Sequence, residues 1–501
     1  MDENTPIIVG AGQCVERDFT HSSGVDLAAR AATEAIEASA GTGVAEAIDT
    51  IVMLRLFSDS APHWENKLGR SNNPPQSVAK RIGANPKHRV YSEIGGSEPQ
   101  TLLMEYFAEL QEGSRDVVLL CGGEAIRNQR NAERDGIALN WAEDFDEDME
   151  DRGFGPWVVS QQERYNGLIT TIYFYTVMED VRRQRLGYSW EDYAARECEM
   201  LAAFNKVANA NPYAAFPNLM SAEEIAAAEP LTHLYSKRMV AQDKVNQGAA
   251  VLLTTVGKAK ELGIPESNWV YMHGAAKGLD HDMTVRPDPS VSAMGHDVVQ
   301  RAFDMAELNI RDISLIEIYS CYPVAVTAIA EELGLATDGS DALSLTGGLP
   351  YFGGPGNNYA THGLAEMWSQ LRKKPDSYGF LHGNGGILSK HGSGIFSCEP
   401  SIIDWSTAAT TVSTDSVPAM ESILHPDHGT IKSYTINYMN GAPVQAIILA
   451  ETDDERRFVA HTRGEDQHVV QAMAAEDRAG QRVSVTRGEE NEYALHFDLA
   501  Q

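Results

Sequence analysis

The chain is poor in cysteine and in positive charge. Five scattered cysteines, an odd number with no Cys-x-x-Cys pair, exclude a disulfide framework and fit a reducing cytoplasm. Lys and Arg number 40 against 71 Asp and Glu, a net charge of −31 with no basic run, so no nucleic-acid partner is expected. Apolar stretches such as Val117 to Cys121 have strand length, far short of the roughly 20 residues of a membrane helix, and no membrane association is expected. The start, Met1-Asp2-Glu3-Asn4, carries no basic segment ahead of its short apolar one, which argues against a secretory leader. Gly-x-x-x-x-Gly-Lys, His-Glu-x-x-His and zinc-spaced Cys/His sets are all missing, so metal catalysis has no support.

What is present is an ordinary globular composition in 501 residues, 43% of them hydrophobic, enough to bury several cores. Strand and helix alternate over the first 130 residues, which favours α/β layers. Pro6 to Val9 reads as a strand ending in Gly10-Ala11-Gly12, and Asp26 to Ala38 as a helix. Val90 to Ile94 runs into Gly95-Gly96-Ser97, after which Leu102, Leu103, Tyr106, Phe107 and Leu110 define one helical face. Val117 to Leu120 is then a strand closed by Cys121-Gly122-Gly123. That unit recurs as Gly379 to Gly386, also behind a helix that follows a glycine-rich turn, so the chain reads as two similar halves.

Between residues 131 and 239 the rhythm changes, as in an inserted lobe: seven acidic residues between Glu143 and Asp151, most simply a solvated loop, precede aromatic-rich helices near Tyr173 to Trp190. After Met420 the pattern has period two, with an Asn440-Gly441 hairpin turn and strands near Ala446, Phe458 and Val483. The divisions expected are an N-terminal half (1–130 with 240–260), the lobe (131–239), a C-terminal half (261–414) and a small β-rich, OB-like domain (415–501).

The Ile7 to Gly12 start, the duplicated halves, the inserted lobe and the glycine turns resemble the thiolase superfamily, closest to acetyl-CoA acetyltransferase-like proteins related to sterol-carrier thiolases. The last domain resembles the addition carried by type 1 thiolase-like proteins. The resemblance implies a five-layered αβαβα fold of two pseudo-symmetric halves plus the small β domain. It also implies a cytoplasmic acyltransferase acting on coenzyme A thioesters, by thiolytic cleavage or Claisen condensation of a 3-oxoacyl-CoA, with no permanently bound cofactor. The partners it implies are the acyl-CoA substrate and either a second copy, since family members dimerise through their core sheets, or a partner subunit.

All four usual catalytic positions depart from the family pattern. The nucleophilic cysteine of Cys-x-Gly-x-x-Ala falls on Gly96, with Ser97 beside it as a helix N-cap or a weak nucleophile. The oxyanion-orienting Asn or His falls on Tyr319, the histidine of Gly-His-Pro on Gly354, and the second Cys-x-Gly on Gly383-Asn384-Gly385. One reading rebuilds the site from neighbouring groups: Cys321 as nucleophile, His391 or His362 as base, and Gly96, Ser97, Tyr319, Gly354 and Asn384 lining the substrate. It requires an imidazole within hydrogen-bond reach of the thiol, because a free cysteine is only a few per cent thiolate at neutral pH. The other keeps the fold and drops the chemistry, leaving an acyl-CoA binder or a subunit, with Cys321 and His362 as packing residues. Lys237 and Arg238 are candidates for a coenzyme A phosphate.

Overall fold

The computed structural model describes residues 2–61, 64, 66–489 and 491–500. Six strands form the first sheet: β1 (Pro6–Val15), β2 (Thr50–Met53), β3 (His88–Tyr91), β4 (Val117–Ala125), β5 (Glu150–Asp151) and β6 (Asn246–Thr255), in the order β1-β6-β4-β2-β3-β5. Five form the second: β7 (Tyr271–Leu279), β8 (Ile313–Ile318), β9 (Tyr378–Gly385), β10 (Lys390–Ser397) and β11 (Thr411–Val412), in the order β11-β7-β10-β9-β8. The duplication read from the glycine turns is a topological one. β4 pairs antiparallel with β6 and parallel with β2, and β9 pairs antiparallel with β10 and parallel with β8.

Helices Glu98–Gln111 and Tyr359–Leu371 lie between the sheets, and their apolar faces share one core with strand residues of both. The face expected from spacing, Leu102, Leu103, Tyr106, Phe107 and Leu110, is the buried one. Gly24–Ser39 covers the outside of the first sheet and Ala293–Ala306 the outside of the second, completing five layers of αβαβα.

The first strand does not stop at Val9. It continues to Val15 because Gly10 and Gly12 lie inside it, where a Cβ would overlap the carbonyl oxygens of Ala35 and Ala31. Both glycines serve the close approach of helix to strand rather than a turn.

The acidic segment is more than a solvated loop. Its end is strand β5, paired with the edge of β3. Arg55 pairs with Asp151, Arg81 holds Glu143 at 2.8 Å, Arg152 holds Glu150 at 2.8 Å, and Asn73 Nδ2 donates to the Glu147 carbonyl at 2.9 Å. Three of the seven acids are thus paired with arginines, at the two ends of the run.

After Ser422, β12 (His428–Met439), β13 (Ala442–Glu451), β14 (Arg457–His461), β15 (Arg482–Arg487) and β16 (Leu495–Leu499) close a barrel in the order β12-β13-β14-β16-β15, with helix Gln467–Ala475 before β15. Five strands closed in this order are the arrangement of an OB-fold. Asn440 and Gly441 turn β12 into β13 with φ of 51° and 78°. Ile447, Leu449 and Val459 share a core with helix Thr171–Leu186, and Ser433 Oγ donates to the Val177 carbonyl at 2.7 Å, so the barrel is fastened to the lobe. Among the described residues no helix is long and apolar enough to cross a membrane.

Candidate functional site

Helix Glu98–Gln111 begins between the two sheets, with Pro99 in its first turn. Gly96 stands just ahead of it, where a helix N-terminus would favour a thiolate. A Cβ on Gly96 would lie 2.5 Å from both Cζ and the hydroxyl oxygen of Tyr319, and closer still to the Asn384 carbonyl. The volume that a side chain at position 96 would need is therefore filled by Tyr319 and the Asn384 backbone. The fourth position behaves likewise: a Cβ on Gly383 would meet Gln100 Oε1 at 2.5 Å and Ser97 Cα at 3.1 Å. Gln100 is buried there, and among the described residues neither of its amide atoms has a hydrogen-bond partner. Gly354 is different. Its nearest neighbours, Gln242 O at 3.4 Å and Ala241 Cβ at 3.6 Å, leave ordinary room for a side chain.

Ser97 occupies the N-cap position, but its side chain makes no capping hydrogen bond, contrary to the expectation from sequence. It is buried. Beside it, burial pushes Glu98 up to about 7, with Lys390 the main opposing influence, while burial lowers Lys390, whose Nζ donates to the Ile94 carbonyl at 2.6 Å.

Cys321 lies beside Tyr175, Tyr322 and Asn384. Asn384 Nδ2 is 3.7 Å from its sulfur and donates at 2.9 Å to the Tyr175 hydroxyl, which also accepts from Leu388 N at 3.0 Å. Tyr175 stacks on Tyr322 with ring centroids 4.3 Å apart. The residue keeps partial exposure, yet burial of the thiol pushes it up to about 12, against hydrogen bonding from Tyr175. At neutral pH it is a thiol.

Neither expected base reaches it. His391 is buried, its Nε2 3.2 Å from the Leu388 carbonyl and 2.8 Å from Ser292 Oγ, its Nδ1 3.2 Å from His382 Nε2. Because a carbonyl only accepts, Nε2 carries the proton, and the Nδ1 lone pair faces the N–H of His382, whose own Nδ1 is 2.8 Å from Ser393 Oγ. Burial drives His391 down to about 3. His362 donates from Nδ1 to Gln13 Oε1 at 2.7 Å and packs edge-on against Phe352, and burial lowers it to about 3. No hydrogen bond joins Cys321 to His391 or His362 in this structure: His391 is bonded through both ring nitrogens, His362 through Nδ1 only, and burial holds both neutral. What the structure does bring together is Gly96, Tyr319, Cys321 and Asn384, packed and without a nucleophile–base pair.

Tyr175, Tyr322 and Gln100 were not singled out by the sequence reading. Tyr175 comes from the lobe, 209 positions before its partner Asn384, and no local spacing signals that contact. Asn384 Oδ1, like both amide atoms of Gln100, is buried with no hydrogen-bond partner among the described residues.

The comparisons agree with this architecture. A model for the thiolase-like protein type 1 additional C-terminal domain matches residues 409–490. The crystal structure of a monomeric SCP2-thiolase like protein type 1 from Mycobacterium smegmatis is 34% identical, covers 100% of both chains and superposes with a TM-score of 0.82. Human mitochondrial 3-ketoacyl-CoA thiolase is 14% identical over 79% of this chain and 99% of its own, with a TM-score of 0.57, a likeness of fold. An acetyl-CoA acetyltransferase of Methanocaldococcus jannaschii is 22% identical over 265 residues, 52% of this chain and 61% of that curated relative, so the match spans about three-fifths of its length.

Proposed function

The chain belongs to the type 1 thiolase-like proteins of the thiolase superfamily, and on that premise we propose that it binds a coenzyme A thioester without forming the acyl-cysteine of a thiolase. One observation carries the reading: Tyr319 fills the space over Gly96, so position 96 has neither a nucleophile nor room for one. The thiol of Cys321, pushed up to about 12 and out of reach of both imidazoles, does not replace it. The coenzyme A part of the proposal rests on what thiolases of this fold act on, as the names of the relatives state. It also rests on two cations that form no ion pair among the described residues: Arg127, whose guanidinium lies 5.3 Å from the Phe216 ring, and Arg238, beside Tyr351. Lys237 is paired with Glu229 at 3.4 Å.

The same proposal makes the protein a cytoplasmic monomer. The edge of β3, open to pairing in a bare sheet, is occupied by the chain's own β5. Incubation with acetyl-, acetoacetyl- and longer 3-oxoacyl-CoAs, followed by intact-mass analysis and equilibrium binding, tests the reading. Saturable binding without mass gain is expected. An acyl adduct on Cys321 or Ser97 restores the enzyme reading, and absence of binding to every thioester removes the proposal.

A further inference from the structure

Gly385 stands opposite Lys390 across β9 and β10, and a Cβ on Gly385 would lie 3.0 Å from Gly95 Cα. The strand ends therefore press on the Gly95 turn and carry Lys390 to the start of helix Glu98–Gln111. A Cβ on Gly95 would lie 3.4 Å from Lys390 Cδ, 3.5 Å from Ser97 Oγ and 3.6 Å from Glu98 Cγ, its nearest contacts outside the adjoining residues. Those are ordinary contact distances, so three functional side chains surround one point with room for a methyl group. They are not sealed from solvent, since Ser97 is 2%, Glu98 6% and Lys390 7% exposed.

None of the three is used up by the fold. Lys390 Nζ has one hydrogen bond, to the Ile94 carbonyl at 2.6 Å, and no ion pair among the described residues. Ser97 makes no capping bond, and the Glu98 carboxyl has no hydrogen bond among the described residues. A lysine that merely anchored a loop would gain from pairing with the carboxyl that flanks the same point, yet the two stand apart. Burial raises Glu98 to about 7 and lowers Lys390, against the attraction of each for the other, with Glu93, Lys277 and Arg152 as the further charges. Desolvated amines of this kind are the nucleophiles of imine chemistry, and such a carboxyl both gives and takes a proton at neutral pH.

We propose that Lys390 condenses with a small neutral aldehyde to form an imine, with Glu98 moving the proton. This chemistry is independent of the thioester reading. The Nζ lone pair forms the C–N bond while the Glu98 acid protonates the carbonyl oxygen, giving a carbinolamine. Nitrogen returns its extra proton to Glu98, which passes it to the hydroxyl; the C–O bond breaks, water leaves, and a protonated imine faces the Glu98 carboxylate. No oxidant or reductant is needed. The Ile94 carbonyl keeps one N–H during the addition and holds the amine in place. The size limit comes from the methyl-sized room at Gly95, which a ketone's second carbon would overfill, and neutrality from Glu98 and Glu93, which repel an anion.

The full-length protein exposed briefly to acetaldehyde and cyanoborohydride at neutral pH, and in parallel to glyoxylate with the same reductant, then mapped by peptide mass spectrometry, tests this. Lys390 is expected to gain an ethyl group at least about tenfold faster than the exposed Lys206, and Glu98→Gln to slow Lys390 by a similar factor while Lys206 keeps its rate. Glyoxylate is expected to label Lys390 more slowly than acetaldehyde does. The parent protein decides the site by itself should Glu98→Gln not fold. Lys390 labelled no faster than Lys206, an unchanged Lys390 rate in a folded Glu98→Gln protein, or glyoxylate as fast as acetaldehyde overturns the proposal.

Discussion

Replacement of Gly96 by cysteine puts a Cβ 2.5 Å from Cζ and the hydroxyl oxygen of Tyr319 and closer still to the Asn384 carbonyl. Tyr319 is backed by Tyr359, which packs edge-on against it at 5.3 Å. Asn384 can shift less, because β9 is fixed by its ladder to β10, in which Asn384 opposes His391. Overpacking of this kind costs ~1–3 kcal/mol when side chains can adjust, and an obstacle made partly of backbone places the cost near ~3 kcal/mol. An unfolding entropy of ~2.1 cal/mol/K per residue, taken over 501 residues, is about 1 kcal/mol/K, so the midpoint falls by about 3 °C. Scanning calorimetry and intact-mass analysis after exposure to acetyl-CoA read both consequences: a lower midpoint and no acetyl group on residue 96. Gly354→His is the control, since its Cβ meets nothing nearer than 3.4 Å, and its midpoint stays within about 1 °C. A Gly96→Cys protein that keeps the parent midpoint and takes up acetyl would refute the steric argument and the function built on it.

Stability also depends on pH with a definite sign. Burial raises Glu124 to about 8 and Glu98 and Glu163 to about 7, against an ordinary 4.5, so their stabilisation is present at low pH and lost as pH rises through 7 to 8. His362 and His391, lowered to about 3, oppose this only below 6.5; the melting midpoint therefore falls between pH 6.5 and 8.5, and Glu98→Gln flattens the slope. Cysteine reactivity should be low throughout: burial pushes Cys14, Cys121, Cys198 and Cys321 up to about 12, so a disulfide reagent at pH 8 labels these four only as the protein unfolds. Rapid labelling of Cys321 in the native state would contradict its placement. Arg152→Ala removes the partner of Glu105 and Glu150, and at ~0.2–1 kcal/mol per exposed pair it should speed amide exchange in β3 and β5 severalfold while leaving the melting midpoint nearly unchanged. Equal exchange in both proteins would mean that backbone pairing alone holds β5.

How much was legible follows the range of each contact. The helix Glu98–Gln111, its buried face and the repeat of β4 in β9 are written in local periodicity, which survives any packing that buries one face. The Asn440-Gly441 turn is written in the residue pair itself, because both positions need positive φ. Gly10 and Gly12 read as the end of a strand because glycine composition does not distinguish a strand's end from a helix lying against it. Sequence likewise placed Cys321, His391 and His362 in segments close to the site, but the direction of each side chain is set by partners such as Gln13, 349 positions from His362.

By itself, then, the sequence determined the layers, the two halves and the added barrel, since each is a property of residue type at a position or of its spacing. Only the tertiary structure decided that positions 96 and 383 have no room for a side chain, because that depends on which distant side chain packs against them: Tyr319 over Gly96 and Gln100 against Gly383. It likewise decided that the acidic run ends in a strand, Glu150–Asp151, whose side chains pair with Arg152 and Arg55 while Arg81 holds Glu143 at the start of the run.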